Sequence, residues 1–240
     1  IEKAPLEVLK SLSVEDIVSI IQKANHMYYN TAKPIFSDQI FDLIKTHLEE
    51  LHPNHPALKF VGSKVNQGVK TKLPFFMGSL DKIKNDQKVF GGWISQYSGD
   101  YVVSDKLDGN SGLLHYQPNT FPKLYTRGDG VTGQDISHLI PFLKNSSIIN
   151  VLRNEEVAIR GELIISKIDF QNLANKGANA RNTVAGLLNA VIPDLEIARV
   201  TSFVAYEIIN PVMLPSQQMK YIVQQTQIDC VYNKLWKNKD

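Results

Sequence analysis

Cysteine is nearly absent. The 240 residues hold a single thiol, Cys230, so the chain cannot close an internal disulfide or build a four-cysteine zinc site. Long apolar runs are missing too. No stretch approaches the about eighteen consecutive apolar residues of a bilayer span, and no secretory leader is visible. A soluble, intracellular and cytoplasmic protein with no membrane partner is expected. Charge of one sign is also scarce: 26 Lys+Arg against 24 Asp+Glu leave a net +2, too little to announce nucleic-acid binding from bulk electrostatics, although local basic patches remain open. Histidines lack metal-ligand spacing; His52 and His55 merely flank Pro53 in a polar loop. No protein-caged metal is expected. Trp93 and Trp236 read as packing residues.

What is present is ample apolar content, 43% of residues, enough for one large core or a core with a satellite unit. Ser13-Val14-Glu15-Asp16 has the form of a helix start. Val14, Ile17, Val18, Ile21 and Tyr28 then follow helical spacing over 14–29. Ser37-Asp38 starts a second helix, with Ile40, Phe41, Ile44, Leu48 and Leu51 on one face and Pro53 and Pro56 beyond its end. Residues 1–12 show no clear period. Residues 57–82 are irregular and read as a linker. Beyond 83 the texture changes to short strands at 101–105, 111–116, 122–127, 156–165 and 201–209, with helices near 88–97, 167–175, 181–191 and 216–226. The fold class is α+β: a helical unit at 1–56, a linker at 57–82, and a mainly antiparallel sheet with flanking helices at 83–240.

Four polar clusters punctuate the larger unit. Lys106-Leu107-Asp108-Gly109 lies between two apolar strands. A lysine amine is nucleophilic only when neutral, a state that burial or cationic neighbours such as Arg127 or Arg160 would favour. The ordinary alternative is a surface lysine in a turn. Thr126-Arg127-Gly128-Asp129-Gly130-Val131-Thr132-Gly133 lets backbone approach a ligand and offers an arginine fork for phosphate or ribose oxygens, or is simply a hairpin turn. Arg160-Gly161-Glu162 puts charge in an apolar strand, which implies pairing, a ligand or a solvated edge. Asn179-Ala180-Arg181-Asn182 opens a helix, a setting that suits an anion as well as plain capping.

In this order the clusters closely resemble the adenylation domain of NAD-dependent DNA ligases, an ATP-grasp-like nucleotidyltransferase fold. Tyr28-Tyr29 with Pro34, Asp38, Phe41 and Asp42 resembles the family's small N-terminal unit. Phe76-Met77-Gly78-Ser79-Leu80-Asp81 resembles its segment entering the adenosine site. The resemblance runs from about residue 14 to about 209. It implies that Lys106 attacks the α-phosphorus of NAD, with Asp108 beside it, releasing nicotinamide mononucleotide and keeping AMP. AMP would pass to the 5′-phosphate of nicked double-stranded DNA, and the 3′-hydroxyl would displace it. Arg127 and Glu162 would hold the ribose and Tyr206 would stack on adenine. Ser79 and Leu80 would line the pocket. Tyr28, Tyr29, Asp38 and Asp42 would grip the nicotinamide mononucleotide half. Arg160 and Arg181 would face phosphate or DNA. Mg²⁺ would enter with phosphate, and a monomer is expected, in a nucleoid or a viral factory according to source.

Several positions depart from the family pattern. Ser104 stands where bacterial members carry Glu, which implies a divergent, viral branch reading adenine differently. Phe41 replaces Tyr, Tyr29 often replaces His, Ala180 replaces Pro and Asn189 replaces Arg. Two later family motifs are not found before Asp240, and Lys234, Lys237 and Lys239 read as a polar tail without strand context. The adenylation domain is therefore expected to be incomplete at its C-terminal side, and the chain to bind NAD or AMP and self-adenylate weakly without sealing nicks. The competing readings are another covalent nucleotidyltransferase, ATP-dependent or capping-like, which would lack the Tyr28-Tyr29 unit, and a degenerate non-catalytic binding module.

Overall fold

The computed structural model describes residues 5–30, 35–59, 70–80, 83, 86–149 and 153–237. The first unit is helical. Short α1 (Pro5–Lys10) leads to α2 (Val14–Asn30), α3 (Asp38–Leu51) and one turn, α4 (Pro56–Lys59). At the start of α2 the Ser13 hydroxyl accepts from the Asp16 amide at 3.1 Å, while Asp16 reaches back to the Ser13 amide at 3.3 Å. That reciprocal bonding satisfies two amides a helix start leaves open. Ser37 caps α3 through the Ile40 amide at 3.4 Å. Leu9, Ile17, Ile21, Ile44 and Leu48 form the buried centre. α1 had no sequence signal because six residues are too few to show a period.

The stretch expected as an irregular linker contains α4 and a strand, β1 (Lys70–Lys72). Then come α5 (Gln87–Gln96), β2 (Tyr101–Ser104), β3 (Asn110–Tyr116), β4 (Lys123–Thr126) and β5 (Thr132–Gln134). After a 3-10 turn at Ser137–Phe142 follow α6 (Ser146–Ile149), β6 (Val157–Ile165), α7 (Lys167–Asn172), α8 (Ala180–Asn189), α9 (Leu195–Val200), β7 (Thr201–Asn210), α10 (Pro215–Tyr221) and β8 (Asn233–Trp236). α10 continues as a π turn at Ile222–Thr226. The helix expected over 167–175 ends at Asn172.

The central sheet has four strands in the order β4-β3-β6-β7, all antiparallel. One face buries Leu114, Ile159, Leu163, Phe203 and Ala205 beneath α8, α9 and α10. The other face carries Leu113 and Ala158, covered by Leu73 and Met77. α2 packs against α8, so the helical unit touches the larger one at that helix.

Two small ribbons flank the sheet. β1 pairs with β5, with Thr71 opposite Gly133. β2 pairs with β8, with Ser104 opposite Asn233 and Val103 opposite Lys234. The second ribbon corrects the reading of Lys234 as part of a tail without strand context. A strand this short and polar is stabilised by its partner's backbone rather than by its own side chains, and only the long-range pairing reveals it. Among the described residues, no helix is long and apolar enough to cross a membrane.

Candidate active site

Lys106 follows β2 directly, and β2 is held in place by β8. The Asp105 amide donates to the Tyr232 carbonyl at 3.1 Å, which extends that pairing to the residue before the lysine. Lys106 itself is exposed, so the burial considered from sequence is not how it sits. Gly109 is buried where the chain turns into β3; a Cβ there would lie 2.3 Å from the Leu163 carbonyl oxygen. No other residue fits between the lysine loop and β6 without moving backbone.

Glu162 is the buried carboxylate of the site, 8% exposed. It sits on β6 opposite Ser111 of β3, whose hydroxyl donates to it at 3.0 Å. Burial pushes its pKa up; the Ser111 bond and the positive charges of Arg181, Lys106 and Arg127 pull it back. Cations from three separate clusters therefore act on one carboxylate through their charge. Tyr206 of β7 joins them: burial and the nearby Glu162 charge raise its phenol's pKa.

Arg181, in the first turn of α8, donates to Asp108 at 3.1 Å. Its carbonyl accepts from the Asn110 amide group at 2.9 Å. Asn179 caps α8 through the Asn182 amide at 2.8 Å. Asn189, at the far end, turns back to its own helix and donates to the Ala185 carbonyl at 2.8 Å.

The Arg127 loop is a turn built by Asp129. Its carboxylate accepts from the Val131 and Thr132 amides at 3.0 and 2.7 Å. Gly128 has φ +54°, and a Cβ there would meet the Thr132 carbonyl oxygen at 1.9 Å. Left-handed backbone alone costs a residue with a side chain about 1–2 kcal/mol. With the clash added, Gly128→Ala is expected to destabilise the protein by roughly 2–4 kcal/mol, seen as a lower urea midpoint. An unchanged midpoint would mean that the turn rearranges freely.

Arg160, on β6 two residues before Glu162, is held by its neighbours. One terminal nitrogen donates to Glu207 at 2.7 Å and the other to the Phe76 carbonyl. The guanidinium expected to face phosphate or DNA is thus placed between β7 and the segment after β1. That segment is fixed further back by the Leu73 amide on the Val131 carbonyl and the Met77 amide on the Gly130 carbonyl, both at 2.8 Å. Ser79 and Leu80 beyond it are exposed. Asp42 is exposed on α3, while the side chains of Tyr28, Tyr29 and Asp38 lie outside the described residues.

Asp129 builds the turn that the Gly-Asp-Gly sequence signals. Ser111, Asn110 and Glu207 carry no assigned role in the sequence reading; Glu207 had a usable signal, as a charge beside Tyr206 in a strong strand, while Ser111 and Asn110 act through pairings that the fold creates.

The NAD-dependent DNA ligase adenylation domain, taken as a family model, matches residues 70–234. This chain belongs to that family. A DNA ligase of Acanthamoeba polyphaga mimivirus is 40% identical over 235 residues, covering 97% of this chain and 36% of that protein. A DNA ligase of Clostridioides difficile is 32% identical over 213 residues, covering 78% and 32%. One from Pelagibacter ubique is 32% identical over 200 residues, covering 75% and 30%. The adenylation-domain chain thus spans about a third of the length of these relatives. The family match starts at β1, the strand that ties residues 70–80 to the larger unit.

Proposed function

We propose that this chain charges itself with AMP from NAD as the first step of DNA ligation. One observation carries the proposal: the buried Glu162 carboxylate, held by Ser111 at 3.0 Å, feels the positive charges of Lys106, Arg127 and Arg181 from three separate motifs, and Arg181 in turn donates to Asp108 of the lysine motif at 3.1 Å. Glu162 accepts from the ribose hydroxyls, Arg127 donates to ribose or phosphate oxygens, and the Tyr206 ring stacks on adenine. Ser79 and Leu80 close the adenosine side. The neutral Lys106 amine attacks the α-phosphorus. A P–N bond forms as the P–O bond to nicotinamide mononucleotide breaks, and the amine proton leaves to solvent. Arg181, oriented by Asp108, meets the negative charge that grows on the phosphoryl oxygens.

Tyr28, Tyr29, Asp38 and Asp42 hold the nicotinamide mononucleotide half, a role supported by the packing of α2 against the helix that Arg181 opens. In the later steps of ligation AMP would move to the 5′-phosphate of nicked double-stranded DNA, and the 3′-hydroxyl would displace it to close the strand. Mg²⁺ would enter with the phosphates; Asp108 is paired with Arg181 and Glu162 with Ser111. The chain's own cations are what it offers the phosphates.

Incubation with NAD should add the mass of one AMP. ATP should add none, because Tyr28, Tyr29, Asp38 and Asp42 are suited to a nucleotide leaving group. An adduct from ATP and none from NAD would overturn the assignment in favour of an ATP-dependent nucleotidyltransferase.

A further inference from the structure

Arg160 and Glu207 stand outside the chemistry described above, yet Arg160, paired with Glu207, also holds the segment that enters the adenosine side. Resting on the NAD reading, we propose that this ion pair is a positioning latch. It fixes residues 76–80 over the nucleotide site and so sets the affinity for NAD rather than the rate of phosphoryl transfer.

The geometry is specific. The segment is pinned by backbone as far as the Met77 amide. Among the described residues, Gly78, Ser79 and Leu80 add no backbone hydrogen bond of their own. The Phe76 carbonyl is taken by Arg160, which is only 19% exposed. Arg160 shares its strand and, by alternation, its face with Glu162. Glu207 lies directly opposite Arg160 in the β6–β7 register and next in sequence to Tyr206. One planar fork therefore ties the Phe76 carbonyl to the strand of the ribose-binding carboxylate and to the strand of the stacking ring. Lysine cannot reproduce this, because a point-like ammonium does not span a carboxylate and a carbonyl as two parallel donors do. The backbone beneath is equally close: a Cβ on Gly130 would lie 2.9 Å from the Met77 carbonyl oxygen. A segment packed this tightly onto the β4–β5 turn transmits a shift at Phe76 to Ser79 and Leu80.

The test is single-turnover adenylation of Lys106 across a range of NAD concentrations, with amide hydrogen exchange read at Met77. Arg160→Leu should raise the half-saturating NAD concentration about tenfold, leave the saturating rate within about threefold, and speed exchange at Met77 relative to Leu114 in the central sheet. Arg160→Lys, which keeps the charge and the fold, should recover only part of the affinity. Glu207→Gln should fall between it and the wild type. A fall in the saturating rate at unchanged half-saturation would overturn the latch, and so would full rescue by lysine. If the wild type forms no lysyl-AMP, the NAD reading itself fails, and that result is told apart by the absence of any adduct before a variant is made.

Discussion

Lys106→Ala should abolish the AMP adduct that the proposed reaction forms from NAD, while leaving the fold intact. In the proposed reaction the adduct requires a nitrogen nucleophile at that one position. The variant leaves Glu162, Arg127 and Tyr206, the proposed nucleotide-holding residues, unchanged, so NAD should still bind. Because the Lys106 side chain is exposed, its removal should change the stability by no more than about 0.5 kcal/mol. Intact-mass measurement after incubation with NAD checks the chemistry, and circular dichroism checks the fold. An adduct that persists in the alanine variant would place the nucleophile elsewhere and undo the site.

Glu162→Gln should separate stability from binding. Burial raises the Glu162 pKa in the folded chain. A carboxyl whose folded pKa lies above its unfolded value contributes stability in full below the unfolded value, near 4.3, and loses it as pH rises through the folded value. At neutral pH the ionised, buried carboxylate therefore works against the fold. A neutral amide avoids that cost, so the variant should gain on the order of 1 kcal/mol, or about 2–4 °C in melting temperature, at neutral pH. The advantage should vanish on acidification, since both carboxyl forms are then neutral. Nucleotide affinity should fall in the same variant. Losing a charged acceptor for ribose hydroxyls is worth roughly 1.5–3 kcal/mol, or about 10- to 150-fold. Thermal melts at several pH values, alongside an NAD titration, give both quantities. A variant less stable than wild type at neutral pH would show that the Ser111 bond and the three cations outweigh the desolvation.

The major helices and strands were legible because their side chains are periodic. Ile17, Ile21, Ile44 and Leu48 mark one core, and the apolar runs of β6 and β7 mark the other. The proposed site residues were legible by resemblance, since Lys106, Arg127, Glu162 and Arg181 sit in motifs whose order is distinctive. What stayed hidden depends on pairing between distant segments. Ser111 meets Glu162 only through the β3–β6 register. β1, a Lys-Thr-Lys strand, is recognisable only by what lies across from it. β8 escaped for the same reason, and with it the partner of the strand that presents Lys106. For Arg160 the sequence implies pairing or a ligand, and by resemblance phosphate or DNA, but not which partner: its acceptors, the Phe76 carbonyl and Glu207, come from elsewhere in the chain.

The ribbon of β2 and β8 also determines what light reports about this protein. Both tryptophans of the chain lie at this ribbon: Trp236 sits opposite Tyr101 on β8, and Trp93 of α5 stacks on Tyr101 at 5.4 Å. Neither belongs to the central core. Intrinsic fluorescence is therefore a local gauge of the strand that leads to Lys106, whereas far-ultraviolet circular dichroism averages over the whole backbone. Coincident melting curves from the two signals would show that the strand before Lys106 unfolds with the sheet; an earlier fluorescence transition would show that it lets go first.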